Sequence, residues 1–264
     1  MRGASGLSCQ PGGRLGFSDM RLGDAEAAWY ADAIAATDYA DAVAGCLPRP
    51  FYDLLDVGAG SGVLAPSLLG ERARWRAVEP QPLMRRRLRQ VAESLADRRV
   101  ALELYSTGWQ SLAPDVGAEV LLAANLGATH HDAAAFFDAM RTRWRRAMHW
   151  VVPAQAGPST FCLAGFLPPA LHGADMRPAF ERTLAQLGAA RAPREVAFVD
   201  WRFDVRFRDA GAAVGHCVDR LGIDAGSTRG RAVSAYVHAR GIADDRGFVV
   251  GCAKRSAVLS WGQP

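Results

Sequence analysis

Residues 54–64 read Leu54-Leu55-Asp56-Val57-Gly58-Ala59-Gly60-Ser61-Gly62-Val63-Leu64. A short apolar stretch, Tyr52 to Val57, runs into three glycines at alternate positions, and a helix-like stretch from Val63 to Leu69 follows. Glycines between a buried strand and a helix permit a tight turn and let a ligand approach the backbone closely. The helix that follows would offer its free N–H groups to an anionic group such as a carboxylate. A second strand, Arg74 to Glu79, ends on an acid seventeen residues after Gly62. That acid is placed to accept hydrogen bonds from the hydroxyls of a ribose. A glycine turn made only for packing has no need of it.

Outward from this turn the chain alternates strand and helix. A helical cover, about Asp24 to Ala44, precedes the turn and is closed by Pro48 and Pro50. Pro82 to Leu95 follows as a helix, with Leu83, Leu88, Val91 and Leu95 on one face. Val100 to Tyr105 and Glu119 to Ala124 are further strands, Asp132 to Met148 reads as helix, and Trp150 to Val152 begins a fifth strand. Spacing of this kind predicts βαβ units: an α/β fold with a doubly wound, mainly parallel sheet and helices on both faces. Beyond Pro153 the pattern loosens into an apolar loop over 154–173 and a helix from Met176 to Leu187. Glu195 to Phe207 alternates as a long strand, and helices are expected over Ala212 to Leu221 and Gly230 to Arg240. Gly247 to Trp261 reads as a strand pair, or as one long strand with an irregularity near Lys254. With no repeat and no Pro/Ser linker, one domain over 21–264 is expected, preceded by a loose leader over 1–20.

Composition narrows the function classes. The chain has 264 residues, half of them hydrophobic and 22% charged, which excludes a fibre or a disordered chain. No apolar run approaches the ~18 residues of a membrane span, and the first 20 residues have no apolar signal segment. A soluble cytoplasmic protein is the expectation. The net charge is +4, but of 31 basic residues only Lys254 is a lysine, leaving 30 arginines spread among 27 acids. Two clusters, Arg85, Arg86, Arg87 and Arg89, then Arg141, Arg143, Arg145 and Arg146, fall in stretches read as helical, where a solvated face explains them better than a nucleic-acid footprint. The five cysteines, Cys9, Cys46, Cys162, Cys217 and Cys252, form no C-x-x-C pair and are expected as reduced thiols.

A dinucleotide fingerprint would place its third glycine where Val63 stands, and a phosphate loop would need a Lys followed by Ser or Thr; neither is present. The spacing acid-x-G-x-G-x-G resembles instead the first motif of the class I S-adenosylmethionine-dependent methyltransferases, over Leu54 to Leu64. Val78-Glu79-Pro80-Gln81-Pro82-Leu83-Met84 resembles their second, with a methionine five residues after the acid. Element order extends the likeness from about Asp24 to Pro153, and the late strands are compatible with it. The resemblance implies a Rossmann-like sheet of seven strands and S-adenosylmethionine as cofactor. Asp56, Gly58, Ala59, Gly60 and Gly62 would hold its methionine end, Glu79 and Pro80 its ribose, and Met84 its adenine. The loop after the third strand, Ser106-Thr107-Gly108-Trp109-Gln110, lacks the acid that often meets the adenine amine; Trp109 would stack on the base and Gln110 hydrogen-bond it. Asn125 would face the transferred methyl. Leu126 follows it, not the Pro-Pro-aromatic run of the amino-methylating nucleic-acid enzymes.

Methyl transfer from a sulfonium is an in-line displacement that needs positioning, and a base only where the acceptor must lose a proton. His130 and His131, just after the fourth strand, are the candidate bases, beside the alternative that Thr129 or Asp132 caps a helix and the histidines are merely solvated. A metal held by His130, His131, Asp132 and His172 is possible by residue type but not expected. Among Trp29, Tyr30 and Tyr39, which can cover the cofactor, Tyr30 is the favoured pocket residue. The segment 154–174, with Phe161, Phe166 and Leu167, reads either as a lid over an apolar acceptor pocket or as a packed connection. Arg177, Trp201 and Arg206 can line the same edge. The expected partner is a small-molecule acceptor; an RNA or protein methyltransferase using the arginine helices and a non-catalytic cofactor-binding subunit are the rivals, and a homodimer is compatible with each.

Overall fold

A computed structural model describes residues 23–126, 132–156, 166–172 and 177–262. Its centre is a sheet in which β1 (Phe51–Val57), β2 (Leu69–Val78), β3 (Ala101–Tyr105), β4 (Ala118–Ala124) and β5 (Trp144–Pro153) run parallel in the order β3-β2-β1-β4-β5. Beyond β5 lies β8 (Gly247–Gly262), antiparallel to it, and then β6 (Glu195–Phe207), antiparallel to β8. This path holds the seven strands expected from the sequence. An eighth, the three-residue β7 (Ile242–Asp244), folds as a hairpin onto β8. Strand order reverses at the β1–β4 pair, where Leu54 to Val57 lie against Val120 to Ala123. Open α/β sheets bind their ligands at the carboxyl ends of strands at such a switch point.

The period-2 alternation of each central strand divides the core between two faces. On one, Leu54, Trp75, Val120 and Leu122 pack under α1 (Asp24–Ala35), α2 (Tyr39–Ala44), α3 (Ala65–Leu68) and α4 (Pro82–Ser94). On the other, Leu55, Val57, Leu121, Met148 and Trp150 pack against α5 (Ala133–Met140) and α7 (Ala179–Leu187). The short α6 (Pro169–His172) and the helices α8 (Ala210–Leu221) and α9 (Thr228–Arg240) form a third cluster with Phe248 and Val250.

Several sequence expectations need correction. The single helix expected over Asp24 to Ala44 is two. The Thr37 hydroxyl donates to the Ile34 carbonyl at 2.7 Å and accepts from the Tyr39 N–H at 3.2 Å, ending one helix and starting the next. The helix expected over Asp132 to Met148 stops at Met140, and β5 already begins at Trp144. Residues 147–151 pair with β4 on one side and β8 on the other, and burial on both faces overrides local helix preference. Arg143 therefore lies on no helix. Its guanidinium is buried and donates to the carbonyls of Ala139, Leu112, Ala113 and Val116, locking the turn that enters β5. Arg145 pairs with Asp53. The long last strand runs through Lys254 in unbroken register with β6. Among the described residues no helix is long and apolar enough to cross a membrane.

Candidate cofactor site

The glycine turn leaves β1 with Gly58, Gly60 and Gly62 all at positive φ, 69°, 57° and 79°. The three do different work. A Cβ on Gly58 would stand 1.9 Å from Leu126 Cδ2, and one on Gly62 2.9 Å from both Leu88 Cδ2 and the Trp75 ring; these two admit close packing. A Cβ on Gly60 would meet nothing nearer than the Gly58 carbonyl at 4.0 Å. The backbone of Gly60 thus borders open space at the switch point.

Two buried carboxylates flank that space. Glu79, past the end of β2, accepts from the Gly60 N–H through Oε2 at 2.9 Å and from the Gln81 N–H through Oε1 at 2.8 Å. Burial pushes its carboxyl above its ordinary value, against the pull of those two donors and of Arg85, which donates to the Glu79 and Pro80 carbonyls. Asp56, the penultimate residue of β1, accepts from the Trp75 indole at 3.2 Å. Burial pushes its carboxyl up to about 7, offset by the Trp75 bond and reinforced by the negative charge of Glu79. Two acids sharing a water-poor cleft favour a positively charged visitor.

The end of β4 closes the cleft on the other side. Asn125 turns the chain at φ 52° and donates from Nδ2 to the Tyr39 hydroxyl at 2.9 Å. Tyr39 is fully buried, and burial together with Asp56 raises its hydroxyl well above the ordinary range. Its ring lies 4.8 Å from that of Trp201 on β6, and the Arg202 N–H donates to Asp38, so the start of α2 is fastened to the sheet. Tyr30 is half-buried and packs against the core face beneath α1 and α2. Of the three aromatics in the cover, Tyr39 is the one that meets Asn125. Tyr39 stands at the first position of α2, after the break at Thr37 and Asp38.

The remaining candidates divide by location. Met84 is buried on α4 against Ala27 and Ala31 of α1, so the helical cover crosses the adenine side of the expected pocket. Pro80 is exposed between Glu79 and α4. Trp109 is half-buried in a 3-10 turn after β3, edge-on to Phe136 at 5.3 Å, and Gln110 beside it is exposed. His130, His131 and Thr129 lie outside the described residues, as do the leader expected over 1–20, Phe161 and most of the segment expected as a lid. Asp132 precedes α5 without capping it by its side chain; Gln186 accepts from the Ala133 N–H instead. His172 is buried on α6, with Nε2 2.8 Å from the Leu167 carbonyl. Among the described residues no cluster of three His, Cys, Asp or Glu side chains is arranged to hold a metal.

No protein-family profile and no curated protein matches the sequence. Solved structures do match the shape. A Bacillus halodurans protein designated a methyltransferase superposes with a TM-score of 0.51 at 13% identity, over 86% of this chain and 99% of its own. The YcgJ protein of Bacillus subtilis gives 0.50 at 13%, over 85% and 97%. The chain has the Rossmann-like methyltransferase fold. The turn after β1, the acid after β2 and the residue after β4 put Gly60, Glu79 and Asn125 at the carboxyl ends of neighbouring strands. Among the described residues the sheet runs from β1 to β8, with the antiparallel last strand inserted between β5 and β6.

Proposed function

We propose that this protein is an S-adenosylmethionine-dependent methyltransferase acting on a small-molecule acceptor. The observation that carries the reading is the buried Asp56–Glu79 pair on either side of the open Gly60 backbone. The donor set fits this cofactor. Each carboxylate oxygen of Glu79 already holds one backbone N–H and keeps a second lone pair for a ribose hydroxyl. The raised proton affinity of Asp56 is relieved by a cation such as an α-amino group or a sulfonium. A pyrophosphate would meet the same two acids at a like-charge cost, which agrees with the absence of a dinucleotide glycine pattern.

When bound, S-adenosylmethionine supplies a methyl group on a positively charged sulfur, ready for in-line attack. The residues of this chain bind and orient. Asp56 and the Gly58–Gly62 turn hold the charged end, Glu79 the ribose, and Asn125, fixed by Tyr39, borders the edge where the acceptor must enter. The α1–α2 cover excludes water from Asp56 and strengthens its field. His130 or His131 would serve as base for an acceptor that must lose a proton.

A small acceptor is favoured over RNA because four of the eight clustered arginines are held by carbonyls or carboxylates of the protein itself. Arg85 holds two carbonyls, Arg87 pairs with Asp32, Arg143 is buried in a turn and Arg145 pairs with Asp53. Calorimetry with S-adenosylhomocysteine tests the proposal. Binding to the wild type, weakened at least about tenfold by Glu79→Ala, supports it; no binding to a folded wild type overturns it.

A further inference from the structure

The glycine turn commits most of its own donors to the protein. The Gly58 and Ala59 N–H groups both go to the Val78 carbonyl, at 2.8 and 3.2 Å. The Gly60 N–H goes to Glu79, and the Gly62 N–H to the Ala59 carbonyl. The helix that follows adds little, because the Ala65 and Ser67 N–H groups go to the Gly62 and Leu64 carbonyls and Pro66 has none. The free N–H groups expected from the sequence for a carboxylate are already used at these positions. What surrounds the turn is acid, with Asp56 at 5% and Glu79 at 8% exposure. A ligand that brings both an ammonium and a carboxylate needs donors for its anionic end from another element.

Tyr39 and Asn125 are such donors. The Tyr39 hydroxyl accepts from Asn125 Nδ2 at 2.9 Å, which leaves its own hydrogen to be donated. Among the described residues nothing accepts that hydrogen, although Tyr39 is only 1% exposed. Burial and the nearby charge of Asp56 keep the phenol protonated at neutral pH. The second Nδ2 hydrogen of Asn125 is likewise accepted by no described residue. Two adjacent donors suit one carboxylate, which accepts through both its oxygens. On the neighbouring strand, Asp56 holds the Trp75 indole through Oδ2, and no described residue donates to its Oδ1. An acid on β1 and a donor pair at the end of the adjacent β4 are the two halves that a zwitterionic α-amino acid end requires.

We propose that Tyr39, with the Asn125 amide, binds the α-carboxylate at the methionine end of the cofactor, while Asp56 takes its ammonium. The assignment rests on the methyltransferase reading. It makes Tyr39 the residue that tells S-adenosylmethionine from a ligand with the same cation and no carboxylate.

The test uses the full chain and calorimetry with two probes. One is S-adenosylhomocysteine; the other is S-(5′-deoxyadenosyl)-3-thiopropylamine, which lacks the carboxylate and keeps the amine, ribose and adenine. The two acids alone would favour the second probe, which carries a net positive charge. With Tyr39 and Asn125 as donors, the wild type is expected to bind S-adenosylhomocysteine at least about tenfold more tightly. Tyr39→Phe is expected to weaken S-adenosylhomocysteine about tenfold and to move the decarboxylated probe less than about twofold. Asn125→Gly, which keeps the left-handed backbone, is expected to shift the two probes in the same unequal way. A merely structural role would weaken both probes alike. The proposal is overturned if the wild type binds the decarboxylated probe as tightly as S-adenosylhomocysteine, or more tightly. It is also overturned if the folded variants weaken both probes equally, or neither. S-Adenosylhomocysteine binding without the preference removes this assignment alone. No binding of either probe to the folded wild type removes the methyltransferase reading, and this assignment with it.

Discussion

Asn125 Nδ2 donates to the Tyr39 hydroxyl at 2.9 Å, joining residues 86 positions apart in sequence. The bond ties the helical cover to the end of β4 at the switch point of the sheet, and it is made where the Asn125 backbone is left-handed. Tyr39→Phe removes the acceptor and leaves a part-buried amide donor behind. A loss of about 1–2 kcal/mol is expected, read as a lower urea midpoint with an unchanged slope. Asn125→Gly accommodates the backbone, whereas Asn125→Ala adds roughly 1 kcal/mol of strain; the difference between the two variants isolates the left-handed turn from the lost bond.

Asp56 links stability to pH. Its carboxyl titrates near 7 in the fold against 3.8 when unperturbed, so the folded chain binds a proton that the unfolded chain does not over that interval. The stability this supplies is complete below about pH 4 and is lost as pH rises through 7. Asp56→Asn keeps an acceptor for the Trp75 indole without the charge. It is expected to melt higher than the wild type at pH 8, by up to about 4 kcal/mol, and to match it near pH 4. Coincident pH profiles would refute the assignment.

The same group should couple cofactor binding to protons. A cationic ligand beside Asp56 draws it toward its charged form, so binding near pH 6 releases up to about one proton per site. Calorimetry of S-adenosylhomocysteine in buffers of different ionisation enthalpy measures that number. Asp56→Asn should release none and bind more weakly.

Glycines at the turn separate packing from ligand access. Gly62→Ala forces a methyl into contact with Leu88 and Trp75 as well as imposing positive φ, and should cost about 2–4 kcal/mol of stability. Gly60→Ala carries the positive φ without a clash in the protein, so it should cost roughly 1–2 kcal/mol while weakening S-adenosylhomocysteine more than Gly62→Ala does. Thermal melts and titration of the two variants together decide it.

Arg143 is expected to act on the fold alone. Arg143→Ala deletes bonds to four carbonyls around a buried turn and should destabilise by about 2–4 kcal/mol. The salt dependence of any RNA binding should not change, because the guanidinium faces inward. A shallower salt slope in a folded variant would return the nucleic-acid reading to contention.

The order of strands and the glycine turn were legible in the sequence because both are local: a period-2 apolar run, three alternating glycines and an acid at the next strand's end. Their chemistry is carried by neighbours in the chain and needs no partner from afar. Helix against strand over 141–148 was not legible. Trp144 to Met148 have acceptable helix formers, and only two flanking strands, β4 and β8, make them a strand. The contact of Tyr39 with Asn125 was hidden for a related reason. It depends on the break at Thr37 and the grip of Asp38 on β6. Lys254 shows the limit most plainly. In the sequence it marked only an expected irregularity in the last strand. Pairing with Trp201 in an inward-facing register buries it, with its ammonium 5.5 Å from the centre of the Phe203 ring. The sequence by itself determined the strand–helix alternation, the glycine turn and the acid after β2, since each follows from spacing along the chain. Only the tertiary structure decided which side chains from distant strands and helices share the low-dielectric spaces beside that edge, where a single charge or hydroxyl outweighs many exposed ones.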